Sequence, residues 1–309
     1  MECTNKIIED DTYDFFDNVI KYIETADKLQ SDTTTLDRQD NCTTFSYQYT
    51  SSKFDIGKNV CELFVKLYKL LPNVNNKGNS DYKKEWHFLN YWLNFNISKN
   101  KLNAITCAKK FSEGLNNHCM YTLGFDFPPG SIYNIKEEDL EKMNLLYGLY
   151  ENYRKINDIL SKSQHEKLNS LLELSSKCCR DYLYANYLCN DKENKFCTEL
   201  KNFKTTYEKL YNQLGGKSPE YSNNFIQLTQ CDNNTVSTAL IGTTVGLVPL
   251  LVGLYKFTPL RQLINSNKGK LTQEYRNNDD EMRNIMLMDQ GSEQINSQQG
   301  TYNIKYHSV

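Results

Sequence analysis

Hydrophobic positions recur at helical spacing along most of the chain. Ile56, Val60, Phe64, Leu67 and Leu71 follow one another at steps of three or four residues and end at Pro72. Four further stripes of this kind begin at Trp86, Leu146, Leu168 and Phe196. Such stripes bury one face of each helix against its neighbours. No segment alternates cleanly enough to predict a strand, so the pattern predicts an all-α domain.

Turn-forming and polar residues interrupt this pattern at three places, which are predicted to be loops. These are residues 33–53, residues 73–80 and the Pro-Pro-Gly sequence at 128–130. A fourth break, at 215–224, is rich in Gly, Ser and Asn and follows the last stripe. Because glycine and proline end regular structure, we expect this last segment to be a stalk that leaves the helical domain.

One segment departs from the amphipathic pattern altogether. No residue between Asp232 and Lys256 is charged, although the mean hydropathy of the whole chain is -0.67. A helix over residues 236–255 would reach about 30 Å, which is the thickness of a bilayer's hydrocarbon core. A buried helix of a soluble protein is the alternative, but such helices rarely run this long without a charge. The pattern therefore predicts a single transmembrane helix over 236–257 and membrane lipid as a partner.

The flanks of this segment predict its orientation. Lys256, Arg261, Lys268 and Lys270 follow it before the first acidic residue, Glu274. Basic flanks stay on the cytoplasmic side, so residues 1–235 should lie on the far side of the membrane. The amino terminus has no apolar segment typical of a signal peptide, so the internal span would act as its own anchor signal.

Cysteine usage agrees with this topology. The ten cysteines are Cys3, Cys42, Cys61, Cys107, Cys119, Cys178, Cys179, Cys189, Cys197 and Cys231, and all precede the span. In a translocated region they indicate a disulfide framework, since oxidising compartments permit one. The alternative is a set of small buried residues in a reducing cytosol. Which cysteines pair cannot be deduced from the sequence.

Together these patterns divide the chain into four parts. We predict a helical, disulfide-stabilised ectodomain over 1–214, a stalk before the membrane over 215–235, the transmembrane helix over 236–257 and a cytoplasmic tail over 258–309. The tail is rich in Gln, Asn and Ser and is predicted to be disordered. Basic residues number 36 and acidic residues 38, with no basic stripe, so nucleic acid is not an expected partner.

No motif in the chain predicts catalysis, a cofactor or a bound metal. The sequence Gly216-Lys217-Ser218 resembles the end of a phosphate-binding loop, but no strand precedes it and Pro219 follows. The cysteines at 178, 179, 189 and 197 match no zinc-finger spacing, and disulfides between helices explain them better. The four histidines are scattered and accompany no catalytic signature.

Two weaker patterns remain open. Residues 41–43, 96–98 and 233–235 are glycosylation sequons, which matter only in a host that glycosylates. Within the span, Gly242 and Gly246 have the Gly-x-x-x-Gly spacing, and Gly253 follows on the same face. Small residues at this spacing let helices approach closely, so self-association through the span is a hypothesis.

Several segments together resemble one known family. They are 88–94 (FLNYWLN), 178–183 (CCRDYL), 196–207 (FCTELKNFKTTY), 254–260 (LYKFTPL) and 302–309 (YNIKYHSV). With these the chain resembles the Plasmodium interspersed repeat proteins of malaria parasites, in particular their vir branch, over nearly its whole length. The most specific segment is YKFTP directly after a span.

The resemblance implies a variant antigen that the blood-stage parasite exports into the infected red cell, often without a signal peptide. It also implies a helical ectodomain with disulfides and a single carboxy-terminal span. We therefore expect adhesion, antigenic variation and immune evasion, with a host cell-surface receptor or an antibody as partner. The alternative is a membrane scaffold that is not displayed, held at exported vesicles or at the inner red-cell face.

Overall fold

The computed structural model describes residues 3, 10–31, 36, 40–124, 127–162, 167–189 and 194–231. Ten α-helices lie within these ranges, and none of the described residues forms a strand. The helices are α1 (Val19–Ser31), α2 (Cys42–Tyr49), α3 (Phe54–Leu70), α4 (Tyr82–Lys99), α5 (Ala108–His118), α6 (Met120–Leu123), α7 (Glu137–Ser161), α8 (Leu168–Leu188), α9 (Lys195–Asn212) and α10 (Pro219–Asn223). Short 3-10 helices cover Asp10–Asn18, Ser51–Lys53, Leu102–Ala104 and Leu228–Gln230. The prediction of a helical domain is confirmed for this part of the chain.

Helix α4 lies at the centre of the fold. It packs against Asp10–Asn18, α3, α5 and α7, so it is buried on most sides. Its aromatic residues extend this contact: the Phe88 ring stacks on Tyr22 of α1 with centroids 4.7 Å apart. A helix that has neighbours on most sides in this way is typical of a protein core.

Two buried asparagines of α4 fix the connection that precedes α7. Asn94 donates to the carbonyl of Tyr133 at 2.9 Å and accepts from the backbone N–H of Ile135 at 3.0 Å. Asn90 accepts from the N–H of Tyr133 at 3.0 Å. Buried backbone groups outside regular structure need such partners, and these side chains supply them.

Helices α7, α8 and α9 pack together as the carboxy-terminal part of the domain. The ring of Phe203 meets Tyr150 of α7 edge-on at 5.1 Å, and Tyr207 stacks on Phe225 at 5.5 Å. The Tyr207 hydroxyl donates to the carbonyl of Ile226 at 3.0 Å. All six apolar positions of the stripe that begins at Phe196 are buried, namely Phe196, Leu200, Phe203, Tyr207, Leu210 and Leu214.

The prediction of a loop over residues 33–53 is wrong in its second half. Residues 42–49 form α2, with Cys42 and Phe45 buried between α3 and α5. The Asn41 side chain caps this helix by accepting from the N–H of Thr44 at 2.8 Å. Only two turns long and rich in Thr, Ser and Gln, α2 has too short an apolar pattern for the sequence to reveal.

The stalk predicted from residue 215 also needs correction as far as Cys231. Pro219 occupies the first turn of α10, where its missing N–H costs nothing. Tyr221, Phe225, Ile226 and Leu228 are then buried against the domain, mainly at α8 and α9. The segment therefore packs on the helical domain, where it contacts α8 and α9.

The predicted membrane insertion concerns residues beyond this domain. No helix within the described ranges combines the length and the apolar composition that crossing a bilayer requires. The predicted span and tail lie outside the described residues, as do Gly242, Gly246, Gly253, Lys256, Arg261, Lys268 and Lys270. The span, its orientation and its self-association stay predictions.

Candidate functional site

A buried carboxylate of α4 anchors the start of the loop between α3 and α4. Glu85 is fully buried in the first turn of α4. It accepts from the backbone N–H of Asn73 at 2.8 Å and from the Asn73 side-chain amide at 3.0 Å. Next to it, the indole N–H of Trp86 donates to the carbonyl of Val74 at 3.0 Å. The base of the loop is thereby fixed to the core.

Burial dominates the electrostatics of this anchor. Removal from water raises the pKa of Glu85, although the two hydrogen bonds from Asn73 oppose the shift. A carboxylate that donors satisfy in this way costs less to bury than an unpaired one, so it can remain as a structural anchor. Its contacts explain its position without a catalytic role.

Tyr68 joins the same loop to α6. Its hydroxyl oxygen lies within hydrogen-bonding distance of the Asn75 side-chain oxygen and 3.1 Å from the carbonyl of Leu123, and can donate to one of them at a time. Phe127 closes the arrangement by meeting the Trp86 ring edge-on at 5.2 Å. Tyr68 of α3 therefore contacts both the α3–α4 loop and α6.

Between these anchors the chain is exposed. Residues 75–78 and Ser80 of the loop are solvent-accessible, and Met120 and Tyr121 of α6 are 41% and 60% exposed. These exposed residues of the loop and of α6 are called the loop surface below. It combines an Asn- and Gly-rich tip with large apolar side chains, and so it offers both polar and apolar contacts to a partner.

Eight of the ten candidate cysteines are paired in four disulfides. The pairs are Cys3–Cys107, Cys42–Cys61, Cys179–Cys231 and Cys189–Cys197. Cys119 and Cys178 are buried thiols, which corrects their inclusion among the disulfide candidates. The Sγ of Cys178 faces the Leu149 carbonyl at 4.0 Å. Cys178 and Cys179 are consecutive residues of α8, so their side chains point to different sides of the helix.

The pairs include one short-range bridge and others between segments that are distant in sequence. Cys189–Cys197 joins the end of α8 to the start of α9, and Cys179–Cys231 ties the end of the described domain back to the middle of α8. Three cysteines of the set considered as a zinc site, at 179, 189 and 197, are thus engaged in disulfides. The sequence could not reveal the close approach of Cys119 to the Cys42–Cys61 pair, because it is made between distant helices.

The remaining candidate residues have local structural contacts. Asn41 of the first sequon caps α2, and the Asn96 amide of the second donates to the carbonyl of Trp92 at 2.8 Å within α4. His118 binds the side-chain oxygen of Gln48 at 2.8 Å, and burial lowers its pKa. The third sequon, His165 and His307 lie outside the described residues.

Comparison with known proteins gives one finding. The family model described as Plasmodium vivax Vir protein matches residues 208–309, which extend from the end of α9 through the predicted span and tail. No curated protein and no solved structure is significantly similar to the chain. The match covers about a third of the chain and agrees with the motifs at 254–260 and 302–309, and it supports the resemblance of the chain to the Plasmodium vir family.

Proposed function

We propose that this chain is a variant surface antigen that acts by binding, with the loop surface as its principal contact region. The match to the Vir family model suggests a surface antigen of Plasmodium. The observation that carries the binding role is the exposed loop surface on a fully buried support. Host receptors or antibodies are the partners that such a surface would meet.

The support separates the residues that can vary from those that cannot. Glu85, Tyr68 and Trp86 hold the loop at residues 73–75 through their hydrogen bonds, while the tip at 76–78 contacts solvent. Substitutions at the tip leave the core packing unchanged, and surface loops tolerate such changes best. A rigid base with a changeable tip is what antigenic variation requires.

The loop surface and the last described segment lie on different helices. The loop surface is next to α3, α4 and α6, and α2 and α5 pack beside these helices. Residues 219–231 pack on α8 and α9, and Cys231 is bonded to Cys179 of α8. The loop surface is therefore separate from the segment that leads to the predicted span.

Matched tyrosine substitutions test this proposal. Tyr121 of the loop surface is 60% exposed, and Tyr187 and Tyr211 of α8 and α9 are 51% and 48% exposed. Each tyrosine is replaced by serine in the full-length protein, and binding to immune sera and to a panel of host receptors is measured. The proposal predicts that Tyr121→Ser lowers binding several-fold and that the two control substitutions do not. Equal effects at all three positions would contradict it.

A further inference from the structure

The buried thiol of Cys119 lies directly against the Cys42–Cys61 disulfide. Its Sγ is 3.6 Å from the Sγ of Cys61 and 3.8 Å from the Sγ of Cys42. All three residues are buried, with at most 3% of each exposed. They come from the start of α2, the middle of α3 and the junction of α5 and α6. Three sulfurs thus meet where only two can bond.

Backbone and ring contacts hold this cluster together. The N–H of Asn41 donates to the carbonyl of His118 at 2.8 Å, which joins the start of α2 to the end of α5. Below it, the rings of Phe45 and Phe111 pack with centroids 4.5 Å apart. These contacts do not depend on which two sulfurs are bonded. The three sulfurs therefore stay within reach of one another in any pairing.

The protonation state of Cys119 explains why the cluster can be stable as it stands. Burial, with the carboxylate of Asp40 as a second cause, raises the pKa of this thiol to about 12. The Asp40 carboxylate is itself held by α6, where it accepts from the backbone N–H of Thr122 at 3.2 Å. Since the thiolate is the attacking form, exchange is slow in the closed domain and needs local opening.

We propose that Cys42, Cys61 and Cys119 form a thiol–disulfide exchange site, in which Cys119 can replace Cys42 as the partner of Cys61. The Cys119 thiol loses its proton to water and its sulfur attacks the Sγ of Cys61. The Cys61–Cys119 bond forms, the Cys42–Cys61 bond breaks, and Cys42 leaves as a thiolate that takes up a proton. One disulfide replaces another, so the step needs no external oxidant or reductant.

Chain entropy sets the order in which the two pairings arise. The Cys42–Cys61 bond closes a loop of 19 residues, and a Cys61–Cys119 bond would close one of 58 residues. In the unfolded chain the shorter loop closes more readily, by about fivefold, when the cost follows (3/2)RT ln n. The Cys42–Cys61 bond therefore forms first, and exchange with Cys119 follows once α5 has packed.

The exchange would change which helices beside the loop surface are linked by a disulfide. In the first pairing α2 is bonded to α3. In the second, α3 is bonded to the start of α6, and α2 is held by packing alone. A bond at Cys119 would fix the helix that carries Met120 and Tyr121, while residues 40–53 would be freer to move.

Disulfide mapping of the full-length protein in detergent tests the site. The protein is incubated without denaturant in a mildly alkaline glutathione buffer, quenched with iodoacetamide and digested without reduction. The expected result is a Cys61–Cys119 peptide and an alkylated Cys42 in a fraction of the molecules. Finding only the Cys42–Cys61 peptide, with Cys119 alkylated after denaturation, would overturn the proposal.

A variant without Cys42 tests the Cys61–Cys119 pairing independently of the rate of thiol–disulfide exchange. In Cys42→Ser, Cys61 and Cys119 should form a disulfide after oxidative folding. As a matched control, Cys231→Ser leaves Cys179 beside Cys178, and these adjacent helical residues should stay thiols because their Cα atoms are too close for an unstrained bridge. If Cys61 and Cys119 were both recovered as alkylated thiols in Cys42→Ser, the proposal would be refuted.

Discussion

The Cys179–Cys231 disulfide should contribute more stability than any short-range bridge in the domain. It closes a loop of 52 residues and holds Tyr221, Phe225 and Ile226 on the domain. In the chain-entropy treatment a loop of this length stabilises the folded state by about 4 kcal/mol. The Cys189–Cys197 disulfide closes only 8 residues, and the same treatment gives about 2.5 kcal/mol.

The two double variants Cys179→Ala/Cys231→Ala and Cys189→Ala/Cys197→Ala are compared by urea denaturation of residues 1–231. The first should lose about 1.5 kcal/mol more of the free energy of unfolding than the second. A wild-type sample in strong reductant is the control, because its stability should fall below that of both variants. Equal losses, or a larger loss for the short loop, would refute the reasoning from loop length.

Three further predictions concern packing, protonation and the membrane. Gly114→Ala should destabilise the domain by about 1–3 kcal/mol, since a Cβ there would lie 2.6 Å from the Phe45 ring. Gly148→Ala in α7 should stabilise the domain by about 1 kcal/mol, because a Cβ there meets nothing within 4 Å. Both are measured by thermal denaturation, and a loss of stability at both positions would contradict the packing argument. The raised pKa of Glu85 means that the folded state binds the carboxyl proton more tightly than the unfolded state. The free energy of unfolding should therefore rise as the pH falls through the raised pKa toward 4.5, and Glu85→Gln should flatten this slope. Parallel pH profiles of the wild type and the variant would contradict a raised pKa at Glu85. Carbonate washing should leave the full chain in vesicles and release a chain that lacks residues 236–257, whereas release of both would remove the predicted span.

Much of the fold can be predicted from residue spacing where a helix has one long apolar stripe. The stripe of α4 (Trp86, Leu89, Leu93 and Ile97) and the stripe that begins at Phe196 are buried at every position, because these helices are long enough to show the helical period. Ile56 is the exception in the α3 stripe, since it is 38% exposed near the start of its helix. Helix α2 was missed because its two turns carry too few apolar residues to show a period.

The sites depend on contacts between distant segments, which spacing does not contain. The α3–α4 loop was predicted from its Asn and Gly content, but its anchor at Glu85 could not be, since an acidic residue in a first helical turn usually interacts with the helix dipole. The thiol of Cys119 likewise lies against Cys61, which is 58 residues away in the sequence. Only the packing of α2, α3 and α5 brings these sulfurs together.

Protease treatment of intact infected red cells tests the surface role most directly. With one epitope tag in the α3–α4 loop and another after residue 309, display predicts that external protease removes the loop tag. The tail tag should then remain on a short, membrane-bound fragment. Full protection of both tags on the intact chain, with loss of both only after the cells are opened, would contradict display and favour an internal membrane scaffold.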